Sequence, residues 1–170
     1  MVYEQLIPQL FGLISFGLGA IGFMQKDDHR FKLFLLLLNI NHTLHFVLMD
    51  ALTSAFCSFI SMGRTLTSMK TKSKYVACFF ILITVLISPL WAEYWYDWLC
   101  VVGVCIGTYG LFCLSGIKLR LVMMVGTLCW LANNILVGSI GGVMLETMVL
   151  VINIVTISRL YRAKVDAFAS

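Results

Sequence analysis

Seven long apolar stretches follow one another along the chain, and only short polar links separate them. They cover about residues 5–24, 32–50, 51–69, 75–92, 97–115, 118–138 and 139–160. A helix of roughly 20 apolar residues crosses the hydrocarbon core of a bilayer. The runs are continuous rather than alternating, which favours helices over strands. The pattern therefore predicts an all-α membrane protein with seven transmembrane helices.

Composition supports a chain embedded in lipid. Of its 170 residues, 61% are hydrophobic and only 12% are charged, too few to cover the surface of a soluble domain. The six cysteines occur singly, without a CxxC pair, so neither a zinc site nor a redox motif is indicated. No hydrolase, kinase, phosphate-loop or metalloprotease pattern is present, and we expect no catalytic site, no cofactor and no metal site. The cysteines are expected to pack as small core residues. The net charge of +4 gives no support for nucleic-acid binding.

The charges predict an orientation. With the N-terminus outside, all 12 Lys and Arg residues fall at one end of the bundle: Lys26, Arg30, Lys32, Arg64, Lys70, Lys72, Lys74, Lys118, Arg120, Arg159, Arg162 and Lys164. The other end receives acidic residues and an aromatic cluster in residues 91–98. Basic residues concentrate on the cytoplasmic side, and aromatic rings anchor at the interface. We therefore expect an N-out, C-in topology.

A shift of 88 residues superimposes several features of the two halves. The matched pairs are Gly19 with Gly107, Gly22 with Gly110, Lys32 with Arg120, and the turn at Asp50-Ala51 with that at Gly138-Ser139. Two parallel three-helix repeats joined by a linker helix would explain this. The predicted divisions are 1–70, 71–93 (the fourth helix, as linker) and 94–162, followed by a cytoplasmic tail at 163–170. Chance agreement is the alternative, because glycines are common in transmembrane helices.

Counting from the two outer turns estimates depth in the membrane. His42 and Ser58 lie eight residues on either side of Asp50, and Trp130 and Glu146 lie eight on either side of Gly138. Eight residues of helix rise about 12 Å, which is close to the middle of a bilayer core. These four side chains are therefore predicted to form one midplane layer, where transporters with internal repeats bind their substrates.

Two further residues complete the predicted substrate site. His45 lies three residues after His42 on the same helix face, and Asn133 is its counterpart at the shift of 88. Each member also has a structural interpretation. The histidines could form a polar seam or a metal pair, Trp130 could be packing, and Glu146 could be a protonated helix contact.

Two polar features are not assigned to the site. Arg64 lies about one turn inside the third apolar stretch. We expect its side chain to reach the cytoplasmic surface, or to pair there with Asp27 or Asp28. The Pro8-Gln9 dipeptide lies near the start of the first stretch, where a proline is tolerated in a helix.

The chain resembles the YgjV-type family of small bacterial inner-membrane proteins. The resemblance is carried by two stretches, QKDDHRFKLFLLLLNINHTLHFVLMDALTSAFCSFISMGR and WLANNILVGSIGGVMLETMVLVINIVTISR. It implies location in a bacterial inner membrane, but no particular substrate and no catalytic residues. The predicted order of three, one and three helices also resembles the sugar-transporting SWEET proteins and the vitamin-transporting PnuC-like proteins.

Three classes of function follow from these observations. The first is a transporter or facilitator for a small polar metabolite, sugar-like or vitamin-like, with uniport and proton coupling both open. The second is a membrane interaction or assembly protein whose polar groups only hold helices together. The third, an intramembrane enzyme, lacks any recognisable motif. The expected partners are the lipid bilayer and a small-molecule substrate, and a homo-oligomer remains open. Water access to Cys129, beside Trp130, is expected to separate the first two classes.

Overall fold

The computed structural model describes residues 2–23, 28–114 and 116–169, and every regular element in these ranges is a helix. The helices are α1 (Val2–Phe23), α2 (Asp28–Leu48), α3 (Leu52–Ser68), α4 (Lys74–Ile87), α5 (Asp97–Cys113), α6 (Gly116–Val137) and α7 (Ile140–Ala169). A single 3-10 turn, Ser88–Leu90, extends α4. Each of the seven predicted stretches therefore forms a helix.

The helices differ in length. Within the described ranges, three helices contain segments long and apolar enough to cross a membrane, namely Leu6–Phe23, Ile117–Val137 and Ile140–Ser158. By contrast, α3, α4 and α5 contain 17, 14 and 17 residues. That all seven helices cross the bilayer stays a prediction. The last helix continues to Ala169, so the segment predicted as a tail begins as helix.

The distribution of side chains is the reverse of that in a soluble protein. Large apolar side chains cover the outside, as at Phe59 and Ile154, which are 53% and 52% exposed. The interior holds many polar side chains, and Thr65, Thr108 and Asn134 are fully buried. In lipid, apolar groups cover the surface while polar side chains hydrogen-bond between helices. The fold is therefore built for a lipid environment.

Six helices form a closed ring around the centre of the bundle. In order around the ring they are α1, α2, α3, α5, α6 and α7, and α7 packs against α1. The fourth helix lies outside the ring, against α5 and α3. The middle helices, α2 and α6, each contact both neighbours in their own group of three. The two groups, α1–α3 and α5–α7, therefore meet at two seams, α1–α7 and α3–α5.

The two turns that are predicted to lie outside share one backbone geometry at the shift of 88 residues. Asp50 and Gly138 have φ angles of 56° and 78°, the only positive values among the described residues. The next residue's amide, of Ala51 or Ser139, donates to the carbonyl five residues back, at 2.9 Å in both turns. This is the Schellman arrangement, which ends a helix at a residue in the left-handed region. The same turn therefore separates α2 from α3 and α6 from α7.

Contacts inside the two groups also agree at this shift. A Cβ on Gly22 would meet Phe34 of α2, and a Cβ on Gly110 would meet Val122 of α6, the counterpart of Phe34. Near the basic end, Lys32 donates to the carbonyl of Ser68, at 2.6 Å. Its counterpart at the shift of 88, Arg120 of α6, donates to the side chain of Asn153 in α7. In each group, the cation of the middle helix thus bonds to the third helix.

Candidate functional site: a central polar cavity

A cavity of about 130 Å³ lies inside the ring, between the two groups of three helices. The four residues of the predicted midplane layer, His42, Ser58, Trp130 and Glu146, all line it. Counting residues from the two turns predicted this grouping. Each turn fixes a starting depth, and a helix rises by a constant distance per residue. The cavity continues from this layer towards the basic end, where Arg120 also lines it.

Much of the cavity wall consists of residues that pair at the shift of 88. The pairs are 23 with 111, 35 with 123, 38 with 126, 39 with 127, 42 with 130, 58 with 146, and 61 with 149. Two groups of helices that contribute matching positions must face each other across the cavity. The two groups of helices therefore contribute matching positions to the same cavity.

The midplane layer combines an aromatic wall with polar groups. The indole of Trp130 stacks on Phe46, with ring centroids 5.9 Å apart. A Cβ on Gly103 would lie 2.8 Å from that indole, so glycine there leaves room for the ring. His42 is buried, and its Nε2 atom has no hydrogen-bond partner. The carboxyl group of Glu146 interacts with the hydroxyl of Thr127, another lining residue.

Two arginines line the cavity nearer the basic end. Arg64 is only 7% exposed, and its Nη1 donates to the carbonyl of Val104 and the hydroxyl of Thr108, both at 3.2 Å. Nη1 of Arg120 donates to Oδ1 of Asn153, also at 3.2 Å. The prediction that Arg64 reaches the cytoplasmic surface was therefore wrong. Its guanidinium lies in the interior because α5 offers acceptors there; the side chains of the alternative partners, Asp27 and Asp28, lie outside the described residues.

His45 and Asn133 do not line the cavity. His45 lies towards the outer end, where its Nδ1 is 2.7 Å from the carbonyl of Pro8 and its Nε2 is 2.7 Å from Oγ of Ser139. A carbonyl can only accept, so Nδ1 carries a proton, and a neutral ring accepts from Ser139 at Nε2. Asn133 donates to the hydroxyl of Ser54, at 2.9 Å. Both residues therefore connect helices across the outer end of the bundle.

Gln9 also connects helices at the end of the bundle opposite the basic residues. Its side-chain amide donates to the carbonyl of Gly138, at 3.0 Å, and its oxygen accepts from the amide of Ile140, at 3.2 Å. The Pro8-Gln9 dipeptide thus joins α1 to α2 and to the α6–α7 turn, a role that its position near the start of a helix did not predict. We call the contacts of Gln9, His45 and Asn133 the outer seal, because the predicted topology places this end of the bundle outside.

Other lining residues were not among the predicted site residues. Asn39 and Thr127 form a pair at the shift of 88, and Ser61 and Asn153 add polar groups on α3 and α7. The repeat could have identified Thr127, because it matches a polar residue one turn from His42. Cys129 does not line the cavity. Its labelling therefore cannot report water access to the site.

The histidines do not form a metal pair. Their ring centroids are 6.1 Å apart, and both nitrogens of His45 already have partners. Within the described part of the chain, no three His, Cys, Asp or Glu side chains lie close enough together to hold an ion. Cys57 and Cys100 are buried among the apolar side chains of Ile60 and Val104.

A ring of helices with apolar outside and polar interior defines a helical membrane protein, and comparison with known proteins gives its family. The chain belongs to the Imp-YgjV family, described as "Bacterial inner membrane protein", whose model matches residues 6–164. It is 33% identical over 156 residues to the inner membrane protein YgjV of Escherichia coli (strain K12), an alignment that covers 92% of this chain and 85% of that protein. No solved structure matches the chain significantly. The protein is therefore a bacterial inner-membrane protein.

Proposed function

We propose that this protein is a transporter or facilitator that opens a central cavity alternately to the two sides of the membrane. The observation that carries the proposal is the cavity wall, to which the two groups of helices contribute positions that pair at a shift of 88 residues. In transporters built from repeats, the substrate binds near the midplane, at the interface between the repeats. The polar midplane layer matches that position.

The proposal includes seven spans, with the N-terminus outside and the C-terminus inside. The distribution of charge supports this orientation. Lys70, Lys72 and Lys74 lie between the end of α3 and the start of α4, whereas Glu93 follows the other end of α4 and Asp97 begins α5. The short helices α3, α4 and α5 would need local thinning of the bilayer, or anchoring by flanking side chains. The exposed rings of Trp91 and Trp95 beside α4 suit such an anchor.

Rocking of two three-helix halves would provide the movement. Residues 1–70 and 94–162 would form the halves, and the helix in residues 71–93 would link them, as in the SWEET and PnuC-like architectures. The α1–α7 seam supports such a movement. It joins the halves through close glycine contacts and a few side-chain hydrogen bonds, each of which can break without the others. In the conformation described here, the outer seal is closed and the cavity extends towards the basic end. Under the proposed orientation and mechanism, this arrangement would be the inward-facing state.

The substrate of this site would be a small polar metabolite. Aromatic and polar groups lie together in the midplane layer, as in sites for sugar-like and vitamin-like compounds. A cavity of about 150 Å³ holds a molecule the size of benzene, with six non-hydrogen atoms. A hexose is about twice that size, so the present volume of about 130 Å³ favours smaller metabolites in this conformation.

A ligand screen tests the proposal. The purified protein would be unfolded thermally with a panel of small sugars, vitamins, amino acids and organic acids. We expect one class to stabilise the wild type by about 1.4 kcal/mol at a concentration ten times its Kd. Glu146→Gln should lose this stabilisation, because its side chain lines the cavity. Glu93→Gln makes the same chemical change at an exposed position and should keep it.

The screen also separates transport from the second candidate, a membrane interaction or assembly protein. That candidate is favoured by polar groups that serve only as helix contacts, such as the half-buried Asn41, whose amide donates to Phe11 and Ser15 of α1 at 2.6 and 2.7 Å. If no compound stabilises the wild type, and Glu146→Gln is as stable as the wild type, the interaction protein becomes the better account.

A further inference from the structure

The cavity contains more positive than negative side chains. Its described lining includes two arginines, Arg64 and Arg120, and a single carboxyl group, that of Glu146. His42 is the other titratable lining residue. No described carboxylate forms an ion pair with Arg64, whose two hydrogen bonds both go to neutral acceptors. Even with Glu146 ionised, the cavity therefore has an excess of one positive charge.

Arg64 is an unusual residue to bury in this way. A charged group loses several kcal/mol of solvation when it leaves water, and buried charges are normally paired. A guanidinium has five N–H donors, and Nη1 makes both hydrogen bonds of the Arg64 side chain in the described chain. Its Nε atom is buried without a partner. The group thus has unused donors in a cavity where it also lacks a counter-ion.

Helix α5 has a glycine, Gly107, where it contacts the guanidinium of Arg64. A Cβ on Gly107 would lie 2.7 Å from Nη1 and 3.2 Å from Nη2. Glycine at this position leaves room for the guanidinium to contact α5, beside its acceptors Val104 and Thr108. Arg120, which also lines the cavity, donates a hydrogen bond to Asn153. Both cations are therefore held in place rather than extended to the surface.

We propose that Arg64, assisted by Arg120, binds the carboxylate of a small organic acid, which is the substrate of the proposed transport site. Arginine is suited to this because its planar fork of donors matches the two oxygens of a carboxylate. The polar groups of the midplane layer, Glu146 and His42 among them, lie further along the cavity. They would bind a hydroxyl or ammonium group at the other end of the acid. The volume limits the acid to about six non-hydrogen atoms.

Matched acids and amides test this inference. Unfolding temperatures would be measured with short hydroxy and amino acids, each beside its uncharged primary amide, and with inorganic phosphate, at constant ionic strength. We expect at least one acid to raise the unfolding temperature by about 4 °C when present at ten times its Kd. Its amide should leave the temperature unchanged, although the two molecules have nearly the same size.

Variants test whether Arg64 is responsible for the rise in unfolding temperature. Arg64→Gln should abolish the shift, whereas Arg162→Gln, which removes an exposed cation from α7, should retain it. Should Arg64→Gln fail to fold, Gly107→Ala provides a second variant. It preserves the charge but displaces the guanidinium, and it should reduce the shift at least threefold.

Several results would overturn the inference. An equal shift with acid and amide, a shift that persists in Arg64→Gln, or no shift with any acid would each do so. Stabilisation by phosphate alone would overturn the assignment of a carboxylate. The proposed transport function would still stand if a neutral metabolite stabilised the wild type but not Glu146→Gln, so the two proposals fail separately.

Discussion

Gly141→Ala is expected to lower the free energy of unfolding by about 2–3 kcal/mol, the upper part of the range for overpacking. A Cβ at this position would overlap the backbone of Gly12, in particular its Cα, carbonyl carbon and oxygen. A side chain can rotate away from a new methyl group, but a helix backbone cannot. The α1 and α7 helices would have to separate along their seam, and the unfolding temperature should fall by about 6 °C.

Gly17→Ala is the matched control for this change. It is also in α1, but a Cβ there would meet no atom within 4 Å. It should leave stability unchanged or raise it slightly, since alanine restricts the unfolded chain. Thermal unfolding of the two variants in the same detergent makes the comparison. If Gly141→Ala were as stable as Gly17→Ala, the close approach of α1 and α7 would be incorrect.

His45→Ala is expected to increase access to the cavity from the outer side at least tenfold. The change leaves the carbonyl of Pro8 and the hydroxyl of Ser139 without their present partner. An unpaired buried group costs about 1–3 kcal/mol, and 1.4 kcal/mol shifts an equilibrium tenfold. In the proposed mechanism these bonds form only while the outer seal is closed, so their loss should favour an outward-open state.

The effect can be measured as the rate at which a membrane-impermeant thiol reagent modifies Ser58→Cys from outside, with the native cysteines replaced. Thr43→Ala is the control, because its hydroxyl bonds only within α2, to the carbonyl of Asn39. It should not change the rate. If His45→Ala lowered stability without changing the rate, the bonds of His45 would be helix contacts alone, as in the interaction-protein account.

The sequence predicted how far along the bundle each polar side chain lies better than it predicted which neighbouring helix that side chain faces. His42 and His45 both lie on the predicted face of α2, yet only His42 reaches the cavity, because His45 meets α1 and the start of α7. Asn133 similarly bonds to α3 instead of facing the cavity. A three-residue offset turns a side chain by about 60° and moves it about 4.5 Å along the axis. Which neighbour it then meets depends on helix packing.

Arg64 and Gln9 illustrate what the local sequence could not predict. An arginine one turn inside a span reaches water unless another helix provides room and acceptors for it. Here both come from α5, through Gly107, Val104 and Thr108. The partners of Gln9 lie about 130 residues away, at the α6–α7 turn. Contacts at such separations follow from the closed ring of helices, which the hydrophobic pattern alone does not specify.

Accessibility of Ser58→Cys from the two sides of the membrane tests alternating access most directly. The variant would be treated with a charged thiol reagent in right-side-out and in inverted vesicles. Phe59→Cys, at the next residue, is the control. The side chain of Phe59 is 53% exposed on the apolar surface around the bundle, so a cysteine there should be modified from neither side. We expect Ser58→Cys to be modified from both sides, and more slowly when a ligand occupies the cavity. Modification from neither side, or from one side only, would contradict a cavity that opens alternately to the two sides.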